Sequence, residues 1–130
     1  MQIVRVNEGG TGYYSCTLQK VSTSSLPTVT WEAITLAEIS ALTITLYKRG
    51  VSSDTIINSR DGQSILNVNG GSVHATTGAF TMTFAGVDTA ISEDSLAYEE
   101  HIAVFTITTT SSVVGYWEAK VRVKNLRQVP

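Results

Sequence analysis

A single cysteine among 130 residues, Cys16, rules out a disulfide-stapled fold, because a lone thiol has no intrachain partner. The domain is therefore expected to be held by packing, as in a protein made and assembled in a reducing cytoplasm. Only two prolines occur, Pro27 and Pro130, and no apolar run is long enough to cross a bilayer, so neither a proline-rich linker nor a membrane partner is expected. The opening MQIVRVNEGG lacks the apolar stretch of a secretory signal, and its Met reads as the start of the primary translation product. Charged residues make up 15% of the chain and its net charge is -2, which argues against a nucleic-acid partner, since phosphate neutralisation needs clustered bases. His74 and His101 are the only histidines; neither has a second ligand nearby in sequence, and no HExxH or GxSxG motif occurs. No metal, cofactor or catalytic residue is expected, and both histidines read as structural.

What the chain does have is period-two alternation. Residues 99–125, EEHIAVFTITTTSSVVGYWEAKVRVKN, read as two long strands joined by a Thr/Ser turn. In the second arm Trp117, Ala119, Val121 and Val123 share one face, and Tyr116, Glu118, Lys120, Arg122 and Lys124 the other. The first arm has apolar residues on both parities and is expected in mid-sheet with its second face covered. Upstream, Leu42, Ile44 and Leu46 alternate with Thr43, Thr45 and Tyr47, and Phe80, Met82 and Phe84 alternate with Thr81 and Thr83. Shorter strands are expected around Tyr14, Cys16 and Leu18, and around Val29 and Trp31. A loop is expected over residues 22–25, a single helical turn over 36–39 and another over 88–96. Asp61-Gly62 suits a tight hairpin turn between strands at 55–58 and 64–68, and Asn69-Gly70-Gly71 a further turn. Seven to nine short strands with regular turn signals predict an all-β fold, a single antiparallel β-sandwich of immunoglobulin-like type, with a jelly roll as the alternative. The predicted core is Leu42, Ile44, Leu46, Phe80, Phe84, Val104, Trp117, Val121 and Val123. Residues 38–130 form the sandwich in this reading, and residues 1–37 an N-terminal arm with short strands, part of it or attached to it.

Candidate contacts come from exposed aromatics, turns and charge. Tyr13 and Tyr14 follow a glycine-rich entry and suit an exposed aromatic contact, whereas Trp117 falls on a core parity. Asp54 and Asp61 are explained by a loop end and a turn rather than as a paired-carboxylate site, and the acidic stretch lacks the ligand alternation of a calcium loop. Five of the eleven acids lie at Asp88, Glu93, Asp94, Glu99 and Glu100, and four of the nine bases at Lys120, Arg122, Lys124 and Arg127. That distribution predicts two surfaces of opposite sign, suited to head-to-tail contacts between copies. The candidate interface is therefore Tyr13, Tyr14, Asp61, Gly62, Glu99, Glu100, Lys120, Arg122 and Lys124, with residues 1–20 as an arm reaching a neighbour.

The runs LYKRGVSSDTIINSRDGQSILNVNGGSVHATTGAFTMTF (46–84), EEHIAVFTIT (99–108) and VRVKNL (121–126) resemble a group of small proteins encoded among the virion structural genes of tailed bacteriophages. The resemblance covers roughly the last two-thirds of the chain and rests on turn and core motifs. It implies an immunoglobulin-like virion component, present in repeated copies, that decorates or joins capsid, neck or tail through contacts with other virion proteins. A carbohydrate-binding module on a tail or fibre is the alternative, and it requires exposed aromatics in one plane.

Overall fold

The computed structural model describes residues 2–23, 30–50, 53–92 and 96–127. Eleven strands follow one another: β1 (Gln2–Asn7), β2 (Gly12–Thr17), β3 (Gln19–Thr23), β4 (Thr30–Ala33), β5 (Ile39–Lys48), β6 (Thr55–Ile56), β7 (Gln63–Ser64), β8 (Gly71–Val73), β9 (Ala79–Phe84), β10 (Tyr98–Thr109) and β11 (Val114–Lys124). The expected single turn before β5 is present as a 3-10 turn, Leu36–Glu38, capped reciprocally by Thr35 and Glu38. The expected strand at Val29 and Trp31 is β4, with Val29 itself outside the described residues. Most of the loop expected at 22–25, and the Glu93-Asp94 part of the helical turn expected at 88–96, also lie outside them.

One sheet has the order β1-β11-β10-β5-β6, with β7 also pairing β5; the second has the order β2-β9-β8; β3 and β4 form a separate hairpin. The β11-β10-β5 and β2-β9-β8 layers are the G-F-C and B-E-D strands of an immunoglobulin sandwich, with β6 extending the first layer beyond strand C. The chain is thus an all-β immunoglobulin-like sandwich, and this strand order excludes the jelly roll. One ladder departs from the antiparallel expectation: β1 runs parallel to β11, from Gln2 opposite Ala119 to Asn7 opposite Lys124.

Period two decides which side chains meet. Leu42, Ile44 and Leu46 of β5, Ala103, Phe105 and Ile107 of β10, and Ala119, Val121 and Val123 of β11 turn inward against Phe80, Met82 and Phe84 of β9. An aromatic cluster ties the sheets together. Phe105 is sandwiched between Tyr14 (ring centroids 5.2 Å apart) and Trp117 (5.2 Å), and Phe80 meets all three edge-on. Each such pair adds about 0.5–1.5 kcal/mol to the burial of its rings. Where β8 packs on the β7–β8 connection, only glycine fits: a Cβ on Gly71 would lie 1.9 Å from the carbonyl oxygen of Ile65.

Four expectations are corrected. Val104 lies on the outer parity of β10 and is half-buried, because Ala103 and Phe105 hold the inward positions; Trp117 keeps its core parity but is only half-buried. The segments at 55–58 and 63–64 do not pair with each other across Asp61-Gly62; β6 and β7 both pair β5, at Tyr47–Lys48 and at Thr43–Ile44. Their connection instead turns through left-handed Asn58, Ser59 and Gly62, which carries Arg60 inward. The described part of the expected turn after Gly86 is not a capped helix, since the Asp88 carboxylate is buried and hydrogen-bonded inside the molecule. Finally, residues 1–20 are no free arm: β1 and β2 belong to the two sheets, and Val4, Tyr14 and Leu18 sit in the core.

Val121→Asp places an unpaired charge at a fully buried position and is expected to cost roughly 4 kcal/mol or more, against about 1 kcal/mol or less for Lys120→Asp on the outer face. Urea denaturation of both variants checks the register, and equal losses would refute it. Removing residues 1–8 takes Val4 out of the core and β1 off β11, so the truncated chain is expected to lose several kcal/mol, of the order of a large core truncation.

Candidate functional site

Three features of the surface and interior bear chemistry. The first is a buried polar network at the end of the sandwich where β10 begins. Arg60 reaches Asp88 through Nε (2.6 Å to Oδ1) and Nη2 (3.0 Å to Oδ2), and its Nη1 donates to Gln63 Oε1 and to the carbonyl of Asn69. Asp88 also accepts from Asn58 Nδ2 and from the backbone N–H of Ala85. One step along, His101 Nδ1 lies 2.9 Å from the Asp88 carbonyl oxygen and Nε2 lies 2.6 Å from Glu99 Oε2. Glu99 further accepts from the N–H and hydroxyl of Ser92 and faces Lys48 at 3.6 Å. Burial alone would raise the Glu99 carboxyl, but the bonds from His101 and Ser92 outweigh it and hold the group below the ordinary carboxylate range. Asp88, Glu99 and His101 are at most 1% exposed, and of the three Glu99 alone borders a surface cleft, with Lys48, Leu96 and Lys120.

The second feature is a cationic groove on the outer face beside β1. Arg5, Arg122, Lys124 and Tyr98 line it with Gly10 and Thr11, around a volume of about 570 Å³. The parallel register sets Arg5 directly beside Arg122, whose guanidinium carbon lies 4.5 Å above the Tyr98 ring.

The third feature lies at the opposite end of β10. There the β3–β4 hairpin and the turn between β10 and β11 enclose an apolar cleft of about 480 Å³, walled by Val21, Ile34, Ile107 and Val113. It continues past Tyr14, Cys16, Leu18, Gly115 and Trp117. Burial raises the Cys16 thiol and, with Cys16 beside it, pushes the Tyr14 hydroxyl up to about 12, so both stay neutral along this wall. Lys20 at the rim is held charged by hydrogen bonding to Glu38 and by Glu32. Above the cleft, residues 114–118 of β11 have β10 on one side and no strand on the other among the described residues, because β1 begins only at Ala119. Val113 (62% exposed), Val114, Tyr116 (72%) and Val21 border this edge, and Trp31 stands directly across the hairpin from Val21.

The candidate interface residues fall into separate places. Tyr13 is exposed on the outer face of the β2 sheet, far in topology from the β11 residues; Asp61 and Gly62 are exposed in their turn, Gly62 with a positive φ and its N–H donating to Thr45. Lys120, Arg122 and Lys124 share the outer face of β11, as alternation predicts. Tyr14 is corrected from contact to core, since its neighbour Tyr13 holds the outward position. Glu99 is corrected likewise, being 1% exposed within the buried network. The expected separation of charge is also overturned. The antiparallel register sets Glu100 beside Arg122, and Glu100 pairs with Lys120 at 3.5 Å, so acids and bases interleave on one face. Arg5 and Tyr98 were missed by sequence reasoning: only the parallel β1–β11 ladder brings Arg5 to the basic strand. His101 is structural as expected, and His74 accepts from the N–H groups of Thr76 and Thr77 in a turn.

No family model matches the chain, and no curated protein matches it. Among solved structures, it is similar to the collagen-binding subdomain of the Enterococcus faecalis surface protein ACE, at 12% identity over 87% of this chain and 96% of that one, with a TM-score of 0.26. A superposition that loose carries no argument, and the fold assignment rests on the strand order above.

Breaking the buried pair with Arg60→Met leaves Asp88 uncompensated and is expected to cost about 3–5 kcal/mol, part of which the double change Arg60→Met with Asp88→Leu restores; denaturant titration checks both. Because the folded Glu99 value is depressed, its contribution is fully present above the ordinary carboxyl value of about 4.3 and is lost as pH falls through the lower folded value. Glu99→Gln is expected to be less stable at pH 7 and to lose less on acidification than the wild type. A variant with an unchanged acid slope would show that Glu99 contributes nothing to it.

Proposed function

We propose that the protein is a non-catalytic virion structural component of a tailed bacteriophage, joined to neighbouring virion proteins by strand addition at the open half of β11. The observation that carries this reading is the interrupted edge over residues 114–118 with an apolar cleft alongside it. An unpaired strand edge presents a row of N–H and C=O groups that an extended segment completes, and pockets for alternate side chains give such a ladder its specificity. The occupant is an extended segment of a neighbouring virion protein, running parallel to β11 in line with β1 and inserting apolar side chains against Ile34, Ile107 and Val113. Continuity with the β1 ladder sets its direction, and the apolar lining sets its composition. Repeated copies in a particle turn such contacts into avidity. The sequence resemblance supports the virion setting, and the near-complete burial of the Glu99–His101 pair supports a non-catalytic role. A carbohydrate-binding role is less well supported. Tyr13 and Tyr116 lie on the outer faces of opposite sheets and cannot form one stacking plane.

Mass spectrometry of purified particles is expected to find the protein at stoichiometric copy number. The variant Val21→Lys with Val113→Lys, which places two charges in the cleft at exposed positions, is expected to keep its thermal transition and to lose incorporation at least tenfold. Full incorporation of that variant would move the docking surface elsewhere, and absence of the wild-type protein from particles would refute the virion reading.

A further inference from the structure

The groove formed by Arg5, Arg122, Lys124 and Tyr98 is arranged at a cost that the free domain does not recover. Like charges directly opposite one another on neighbouring strands repel, and the parallel ladder fixes Arg5 opposite Arg122. Among the described residues no carboxylate lies within ion-pair distance of Arg5, Arg122 or Lys124; Glu100, the acid nearest in register, is engaged with Lys120. Arg122 is also fixed in place. Its guanidinium lies on the Tyr98 ring at 4.5 Å, and its Nε is buried with no hydrogen-bond acceptor. A guanidinium held against the Tyr98 ring, a second guanidinium one strand away and an ammonium two residues along make a preorganised receptor for oxyanions, because guanidinium donors match carboxylate oxygens in pairs.

We propose that this groove binds the carboxylates of an acidic protein segment, and so is a second contact, charged where the β11 cleft is apolar. The inference deepens the assembly reading and rests on it for the class of partner. Three cations on a chain of net charge -2 make too small a footprint for nucleic acid, whose affinity comes from many phosphates neutralised together. They suit carboxylates two residues apart on one face of an extended strand, about 6.7 Å, the same spacing that separates Arg122 from Lys124 along β11.

The test uses the full chain with an octaglutamate peptide as probe, read by calorimetric titration and thermal shift. Octaglutamate is expected to raise the thermal transition of the wild type and to bind more weakly as salt increases. Arg5→Thr is expected to weaken binding at least tenfold while leaving the unliganded transition unchanged or higher, since it removes a repulsion. Arg122→Thr is expected to weaken binding at least as much, and Lys20→Thr, at the other end of the molecule, to change nothing. No shift with octaglutamate, or equal binding by Arg5→Thr, overturns the proposal. An equal shift with inorganic phosphate at the same concentration overturns the acidic-segment assignment in favour of a small-anion site, and tighter binding of duplex DNA overturns it in favour of nucleic acid. The Val21→Lys, Val113→Lys variant is expected to bind octaglutamate normally, so failure of the cleft and failure of the groove are read separately.

Discussion

A carboxylate with no contact with solvent is the constraint on which the loop end of this sandwich depends. Asp88 is tolerable inside the protein only because Arg60 meets it with two nitrogens and Asn58 and the Ala85 N–H complete its shell. To supply that arginine, the connection between β6 and β7 adopts left-handed backbone at Asn58 and Ser59, and the two short strands lie separately on β5 instead of pairing as a hairpin. The Asp88 carbonyl then orients His101, and His101 orients Glu99, so the network passes from loop to sheet and meets the surface only through Asn58, Ser92 and Lys48 at its margins. A buried network of this kind contributes little net stability compared with apolar packing. Its effect is to permit one arrangement of the loops, since every alternative strands a charge.

That arrangement leaves the two ends of the molecule with different characters. From His101 to Thr109 the chain advances roughly 27 Å along β10, away from the satisfied polar network and toward the hairpin and turn that border the apolar cleft. The rigid end carries the cationic groove on its outer face, where Arg122 is braced by Tyr98. The other end carries an uncompleted ladder. β11 belongs to both regions, with residues 119–124 paired to β1 and residues 114–118 lacking a second partner strand among the described residues, so a single strand links the groove to the cleft.

The sequence was most legible where alternation was unambiguous. β5, β9 and β11 follow their parity, and their inward residues are the core. Legibility failed in β10, where Ile102 and Val104 make the outer parity as apolar as the inner one, and where the inward positions nearest its start are Glu99 and His101, residues that read as surface. It failed again at Arg60 and Asp88, whose sequence neighbours say nothing of a partner 28 residues away. The groove was half visible: Arg122 and Lys124 share a face by period two, but Arg5 joins them through a parallel ladder between the two ends of the chain, which no local pattern encodes. Tyr14 was misassigned because adjacent tyrosines on a strand must face opposite ways, and the glycines before them favoured exposure for both.

The parallel ladder has a consequence for how the chain is made. β1 leaves the ribosome long before its partner β11, so Gln2 must wait for Ala119 before the first sheet has its edge. The second sheet has no such delay within it, since β2, β8 and β9 are complete once Phe84 has emerged, yet only β5 of the opposite layer's central strands is there to cover its apolar face until β10 arrives. Contacts so distant in sequence are slow to form, because the loop they close costs entropy before any packing repays it. Throughout that interval β1 is an unpaired strand with Val4 and Val6 on one face and Ile3 on the other, able to lie on the open edge of another copy. Crowded synthesis of many identical chains therefore carries a hazard of exchange between neighbours, and Arg5, in the middle of that strand, puts a charge that discourages stacking of one β1 on another.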